Sequence, residues 1–397
     1  MAGQFRLPGT VEKFSTLIGH NSISSVLPEY DQSNMAVINS LATWLEDLDF
    51  RVQILPVENQ PGKANLVATL GEDNGQGGGL VLSGHTDTVP CNPEKWQSDP
   101  FTLTERDNRF YGLGTCDMKG FFALVLDAVE QFRDAEFKQP LIVLATADEE
   151  SSMSGARALA QQNALKMGKA PGTKKRYAVV GEPTSLRPIR MHKGIMMENV
   201  RVTGRAGHSS NPALGISAMD AMHSVMGELM TIRKDLAANF HNAHFAVQSP
   251  TMNLGCIHGG DNPNRICGNC ELAFDLRALP GMSNDDLRDE IRTRLAPVAQ
   301  AHEVELEVEP LFPGVSPFET AESSAIVQAC ERLTSAKSEA VAFATEAPFL
   351  QELGIETLVL GPGNIDQAHQ VDEYLAHDQI EPCVNLIAQL INEFCLS

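Results

Sequence analysis

Most of His85, Asp87, Asp117, Glu149, Glu150, Glu182 and His369 fall in short segments where an apolar, strand-like run ends against a glycine-rich or acidic loop. Divalent cations take imidazole and carboxylate donors of this kind, so their convergence on one place would point to a pair of metal ions. Each residue also has an ordinary reading. LVLSG at 80–84 leads straight into His85-Thr86-Asp87, where alternation lets Asp87 share the side of His85. A carboxylate so placed can hold the second imidazole nitrogen; the plainer alternative is a polar loop with a satisfied histidine. Asp117 lies between the turn Tyr111-Gly112-Leu113-Gly114-Thr115-Cys116 and Met118-Lys119-Gly120, at the mouth of a predicted helix. Alone it is an N-cap; beside a His85 site its two oxygens could bridge two cations. LIVLATA at 141–147 ends in Asp148-Glu149-Glu150. Adjacent buried carboxylates repel unless protons or cations compensate. With metals present one can ligate while the other accepts a proton from water; without them the triplet is a solvated acidic turn. Gly181-Glu182-Pro183 closes a further strand, and His369 follows the Gly361-Pro362-Gly363 turn.

These residues need strands that end together. Up to about Pro183, apolar runs at 66–70, 80–84, 141–147 and 177–182 alternate with helical stretches such as 118–133, the pattern of a largely parallel sheet covered on both faces. Between about 187 and 311 the predicted order becomes strand (195–203), helix (215–235), two strands (252–258, 270–277), helix (284–299) and strand (303–309). That βαββαβ order is ferredoxin-like. A helix at 321–334, the strand 357–361 and a helix at 377–394 return to the first pattern. The expected fold is therefore α/β, with a catalytic domain in two parts, 1–186 and 312–397, and an inserted domain at 187–311. GEDNGQGGG at 71–79 reads as a flexible loop. Ligand sites of open α/β sheets gather at the carboxyl ends of the strands, and the candidate residues obey that geometry.

Composition narrows the class. With 51 acidic and 30 basic side chains in 397 residues, the formal net charge is -21, which argues against nucleic acid or an anionic membrane as partner. MAGQFRLPGT lacks the basic-then-apolar order of a signal peptide, and no apolar run approaches the ~18 residues of a membrane span. The expectation is a soluble, cytoplasmic protein. Eight scattered cysteines suit reduced thiols. Cys267 and Cys270 form a CxxC with no second pair at zinc-ribbon spacing and read as ordinary thiols. The methionines at 191, 196, 197, 219, 222, 226 and 230 mostly follow strand or helix spacing, so core packing is their default reading.

Taken together, SGHTDTVP, YGLGTCDMKG, TADEESSMSGA, VVGEPT, GRAGHSSNP and QAHQVDEY, in that order over nearly the whole chain, resemble the two-zinc metallopeptidase family of aminoacylases, succinyl-diaminopimelate desuccinylase and glutamate carboxypeptidases. HKGIMMENVRVTGRAGHSSNPALG, NRICGNCELAFDLRALPGM, TEAPFLQELG and GPGNIDQAHQVDEYL look closest to its subgroup that deacetylates N2-acetyl-L-ornithine in arginine biosynthesis. The resemblance implies a zinc-exopeptidase-like sheet with a ferredoxin-like lid and dimerisation domain. It also implies two zinc ions, with cobalt or manganese able to substitute. Asp117 would bridge them, His85 and Glu182 completing one site and Glu150 and His369 the other. Asp87 would orient His85, Glu149 would be the general base, and the Asp117-Met118 bond would be cis.

His208, in Gly207-His208-Ser209-Ser210, matches the family's histidine that polarises the scissile carbonyl, often from the partner subunit of a homodimer; by itself it is a surface loop residue. The small-molecule substrate implied is an N-acyl amino acid, whose α-carboxylate calls for a guanidinium or amide clamp. Arg277, ending AFDLR, and Asn264 with Arg265 are candidates, with surface charge as the alternative. Gly361 and Gly363 could offer backbone N–H groups to the same carboxylate. Glu346 could receive a side-chain ammonium or sit behind the metals. The competing functions are another N-acyl amino acid deacylase or dipeptidase of the family, and a catalytically silent metal-binding homologue, against which the intact Asp148-Glu149-Glu150 speaks.

Overall fold

The computed structural model describes residues 7–73, 77–165 and 174–397; residues 74–76 of the expected 71–79 loop lie outside them. The chain forms two compact units, one of Met1–Arg190, Thr320–Glu339 and Thr345–Ser397, the other of Met191–Glu319 and Ala340–Ala344.

The first unit is built on β1 (Arg51–Pro56), β2 (Ala64–Leu70), β3 (Leu80–His85), β4 (Leu141–Thr146) and β5 (Tyr177–Val180), with the helix α1 (Lys119–Glu130) between β3 and β4. Its remaining central strand lies at Glu356–Val359, followed by a helix at Ile380–Ile391. The sheet order is β1-β2-β4-β3-β5 and then Glu356–Val359. The four central strands run parallel, whereas β1 and β2 are antiparallel to their neighbours. Every residue of β3 and β4 is buried, as apolar strands covered on both faces must be. The antiparallel edge has a local cause, since residues 57–63 are too short for a crossover and permit only a hairpin. β1 carries no apolar run, and its side chains are mostly exposed, which is why its sequence pattern gives no strand signal. The core includes Leu82, Val143 and Val179 from the strands, Phe121, Phe122 and Val125 from α1, and Leu386 and Leu390 from the last helix.

The second unit holds β6 (Met196–Thr203), α2 (Ala218–Asn239), β7 (Thr251–Gly259), β8 (Asn269–Arg277), α3 (Asn284–His302) and β9 (Glu305–Pro310). The sheet order β7-β8-β6-β9 is antiparallel throughout. Alternate residues of β6 and β8, among them Val200, Val202, Leu272 and Phe274, pack against Met222, Val225 and Leu229 of α2 and Ile291 and Leu295 of α3. Residues 311–319 stay with this unit, beyond the expected boundary at 311, because Val315 and Ile195 exchange backbone hydrogen bonds of 2.9 Å. The methionine expectation needs correction. Met191, Met196 and Met222 are buried, but Met197, Met219 and Met230 are exposed, because their positions face away from the single core layer. Arg277 ends β8, whose neighbour β7 is an edge strand of this sheet among the described residues.

Candidate metal centre

The parallel strands deliver their carboxyl ends to one edge of the first unit. His85 is the last residue of β3, Glu149 and Glu150 follow β4, Glu182 follows β5, and His369 follows the strand Glu356–Val359. Asp117 immediately precedes α1 with its neighbour, and the Asp117-Met118 peptide bond is cis, as the resemblance implies. Donor atoms form two groups, His85 with Asp117 and Glu182, and Asp117 with Glu150 and His369, each within 4.8 Å of one another. Asp117 is common to both. Its Oδ1 lies 3.0 Å from His85 Nε2 and its Oδ2 3.7 Å from His369 Nε2. His369 Nε2 lies 2.9 Å from Glu150 Oε2.

The electrostatics favour cations. Burial, reinforced by the facing Glu182 carboxylate, pushes Glu149 well above the usual carboxylate range. Burial does the same to Glu182, with Asp117 and Glu346 adding to it. Burial and the nearby Asp117 raise Glu150. Burial opposes the charge of the His85 imidazole, yet its hydrogen bond to Asp117 and the charge of Glu182 hold it well above the ordinary value. The hydrogen bond to Glu150 lifts His369 to about 8. Such a cluster holds either protons or metal ions. The donor set is a borderline-metal set of imidazoles and carboxylates. Among the described residues, Glu182 Oε1 is a buried oxygen without a hydrogen-bond partner, which is what a ligand awaiting a cation presents. The residues thus fit two divalent ions.

Several sequence expectations change in detail. The carboxylate of Asp87 does not hold the His85 ring: Nδ1 lies 3.0 Å from the Asp87 main-chain carbonyl and 3.8 Å from Oδ1. Asp87 Oδ1 and Oδ2 instead accept the backbone N–H groups of Glu149 at 3.2 Å and Glu150 at 3.1 Å. Those amides lie at a half-buried turn against the fully buried Asp87 carboxylate, which supplies their acceptors. Asp87 therefore fixes the main chain that carries the candidate base and a candidate ligand, and orients His85 through its carbonyl.

Gly361 and Gly363 do not offer N–H groups to a ligand. Gly361 N–H donates to Thr184 Oγ1 at 3.2 Å and Gly363 N–H to Gln379 Oε1 at 2.7 Å. Their glycine character serves packing, since a Cβ at Gly361 would collide with the Gly181 carbonyl and one at Gly363, where φ is +82°, with Cys116 Sγ. Glu346 is buried; its Oε1 accepts the Ser83 hydroxyl and its Oε2 the Thr146 hydroxyl at 2.6 Å. Those partners sit within β3 and at the end of β4, so Glu346 lies behind the cluster rather than turned out to a substrate ammonium.

His208, Asn264 and Arg277 belong to the second unit. His208 is exposed, pairs with Arg265 in a short antiparallel bridge, and has Nδ1 2.7 Å from Ser210 Oγ. The Asn264 carbonyl accepts the Ser209 N–H at 3.0 Å, so Asn264 braces the loop after His208. Arg277 donates Nε to both Asp275 oxygens at 3.0 Å. Beside this loop is a groove of about 650 Å³ whose walls include Ser209, Met219, Asp261 and Arg265.

Two anchors escape sequence reasoning. Asp148, at φ +58°, accepts Lys63 Nζ at 2.9 Å, Ser24 Oγ at 2.5 Å and Ser154 Oγ at 2.9 Å, which locks the turn carrying Glu149 and Glu150. Glu373 is buried and binds the amides of the loop that leads into Asp117. The one hint is its place in the same short segment as His369.

Residues 81–393 match the model of Peptidase family M20/M25/M40. A protein of Edwardsiella ictaluri named acetylornithine deacetylase is 48% identical over 390 residues, covering 98% of this chain and 99% of that protein. Its namesake in Pasteurella multocida is 46% identical over 390 residues, at 98% and 99% coverage. Among solved structures, the M20 family metallo-carboxypeptidase Sso-CP2 of Sulfolobus solfataricus superposes with a TM-score of 0.74 at 15% identity, covering 97% of this chain and 99% of that one. Aminopeptidase PepT of Bacillus cereus gives 0.72 at 18%, covering 98% and 99%. At these identities the structural likeness speaks to the fold.

Proposed function

The chain belongs to peptidase family M20/M25/M40, and on that premise we propose that it hydrolyses the amide of N2-acetyl-L-ornithine to L-ornithine and acetate, a step of arginine biosynthesis. The observation that carries this reading is the pair of donor groups sharing Asp117, in a chain 46–48% identical along nearly its whole length to proteins named acetylornithine deacetylase. His85, Asp117 and Glu182 would hold one divalent ion and Asp117, Glu150 and His369 the other, zinc being the native metal and cobalt a substitute. When bound, the ions would supply Lewis acidity for the acyl carbonyl and acidify water at neutral pH. The chain's own residues do the proton work. Glu149, whose pKa is raised by burial and by the Glu182 and Glu150 carboxylates against the opposing charge of His85, accepts the proton of the attacking water and returns it to the leaving amine. Asp87 holds Glu149 and Glu150 by their amides. His208 polarises the carbonyl, and Arg277 and Asn264 bind the substrate's α-carboxylate.

The second unit serves as lid and dimerisation domain, in keeping with the exposed outer strand β7, and the protein works as a cytoplasmic homodimer, for which its eight free thiols are suited. No helix among the described residues is long and apolar enough to cross a membrane. The deciding measurement is kcat/KM of the zinc- or cobalt-reconstituted protein on N2-acetyl-L-ornithine, N-acetyl-L-methionine and N-succinyl-diaminopimelate, with a chelated control. Preference for acetylornithine, lost on chelation and restored by metal, is expected. Preference for another acyl substrate would reassign the specificity, and inactivity on all three would favour a silent homologue.

A further inference from the structure

We propose that Glu373 is a positioning residue that fixes the shared aspartate, and through it the spacing of the two metal ions; this rests on the two-metal reading above. Glu373 Oε1 accepts the backbone N–H of Cys116 at 2.8 Å and of Asp117 at 3.0 Å. Gly114 N–H lies 3.1 Å from both Oε1 and Oε2. The Glu373 main-chain carbonyl takes a further amide, that of Gly112, at 3.1 Å.

Convergent amides of a turn form a concavity that attracts an anion. Here the turn is bent for it, with φ of +151° at Gly112 and +89° at Gly114, and the group its amides converge on is a side-chain carboxyl of the chain itself. The side chain is buried, so those amides have no bulk solvent to turn to in its place. Glu373 also stands four residues after His369, in the segment that then pairs as Tyr374–Ala376 with Arg109–Tyr111. One residue therefore ties the loop bearing a ligand of one metal group to the loop bearing the ligand common to both. If Asp117 shifts, both groups change at once, because each contains it.

The test compares wild type, Glu373→Gln and Glu373→Ala. Each protein is stripped of metal and titrated with zinc against a competing chelator, and the visible spectrum of its cobalt-loaded form is recorded. Glu373→Ala is expected to weaken zinc binding at one or both sites by about 10–100-fold, as loss of outer partners of metal ligands does, and to shift the cobalt bands. Glu373→Gln is isosteric and keeps a carbonyl for the Cys116 and Asp117 amides, so it should fold and fall between the other two. At saturating metal, kcat should drop while KM stays within about twofold, the pattern of a lost transition-state interaction. Two zinc ions bound by the variants with wild-type affinity and wild-type cobalt spectra would overturn the proposal, even if the variants melt earlier, because that outcome describes a structural role. A wild-type protein that takes up fewer than two ions would overturn the two-metal reading and this inference with it.

Discussion

At the scale of single residues, neighbouring carboxylates are given different work by their partners. Glu150 faces His369 at 2.9 Å, whereas among the described residues Glu149 joins neither donor group and is instead held by its amide on Asp87. A group that is close to the cations but not consumed by them can cycle a proton. Glu149→Gln is expected to retain two metal ions by elemental analysis while kcat falls by roughly 10²–10⁴-fold, the usual worth of a positioned acid-base group. Wild-type turnover in a metal-replete variant would remove Glu149 from that role. Asp87 shows how a side chain can act at one remove. Its carboxylate is spent on the Glu149 and Glu150 amides and its carbonyl on His85, so replacing it would disturb base and ligands together.

At the scale of elements, the site is a property of strand ends, and burial there has a pH consequence in the second unit as well. His192 is buried, its ring stacked on Phe318 at 5.0 Å between centroids and its Nδ1 2.9 Å from the Lys193 carbonyl. Burial lowers its pKa to about 4 from an ordinary 6.5. The folded protein therefore binds fewer protons at this ring than the unfolded chain does, and stability falls as pH drops through that window. Above pH 6.5 the ring is neutral in both states and costs nothing. Between 6.5 and about 4 the loss reaches on the order of 3 kcal/mol, at 1.36 kcal/mol per pH unit. His192→Phe keeps an aromatic stack and removes the titration. Chemical denaturation at a series of pH values should show a shallower acid slope for the variant in that window; parallel slopes would show that His192 does not contribute.

At the scale of the whole molecule, His208 belongs to the second unit and the metal donors to the first, and the proposed homodimer is what makes sharing between subunits testable. An exposed edge strand invites pairing with another chain. β7 is such an edge, with Ile257 51% exposed. Ile257→Lys places a charge on it and should shift sedimentation toward the monomer; an unchanged dimer would move the interface elsewhere. His208→Ala should depress kcat without loss of zinc, and mixing it with Glu149→Gln should recover part of the activity when sites are shared across subunits. No recovery after verified subunit exchange would place His208 in its own subunit's site.

The amino-acid sequence by itself determined the α/β class, the ferredoxin-like order of the inserted elements and the identity of the donor types, because apolar runs, turn residues and short motifs are local signals. His85 and Glu182 were legible for that reason, since each stands where an apolar strand stops, whereas His369 comes ten residues after its strand Glu356–Val359. What the tertiary structure alone decided is which acceptor meets which donor. The Asp87 carboxylate turned to two amides rather than to the ring beside it, the Gly361 and Gly363 amides were taken by Thr184 and Gln379, and Glu346 was drawn behind the cluster by Ser83 and Thr146. Glu373 and Asp148 gained their anchoring roles from residues far away in the chain. Hydrogen-bond partners across such separations are fixed by how strands and loops pack, and most buried polar groups find one, so this layer is written in the fold and not in any single segment.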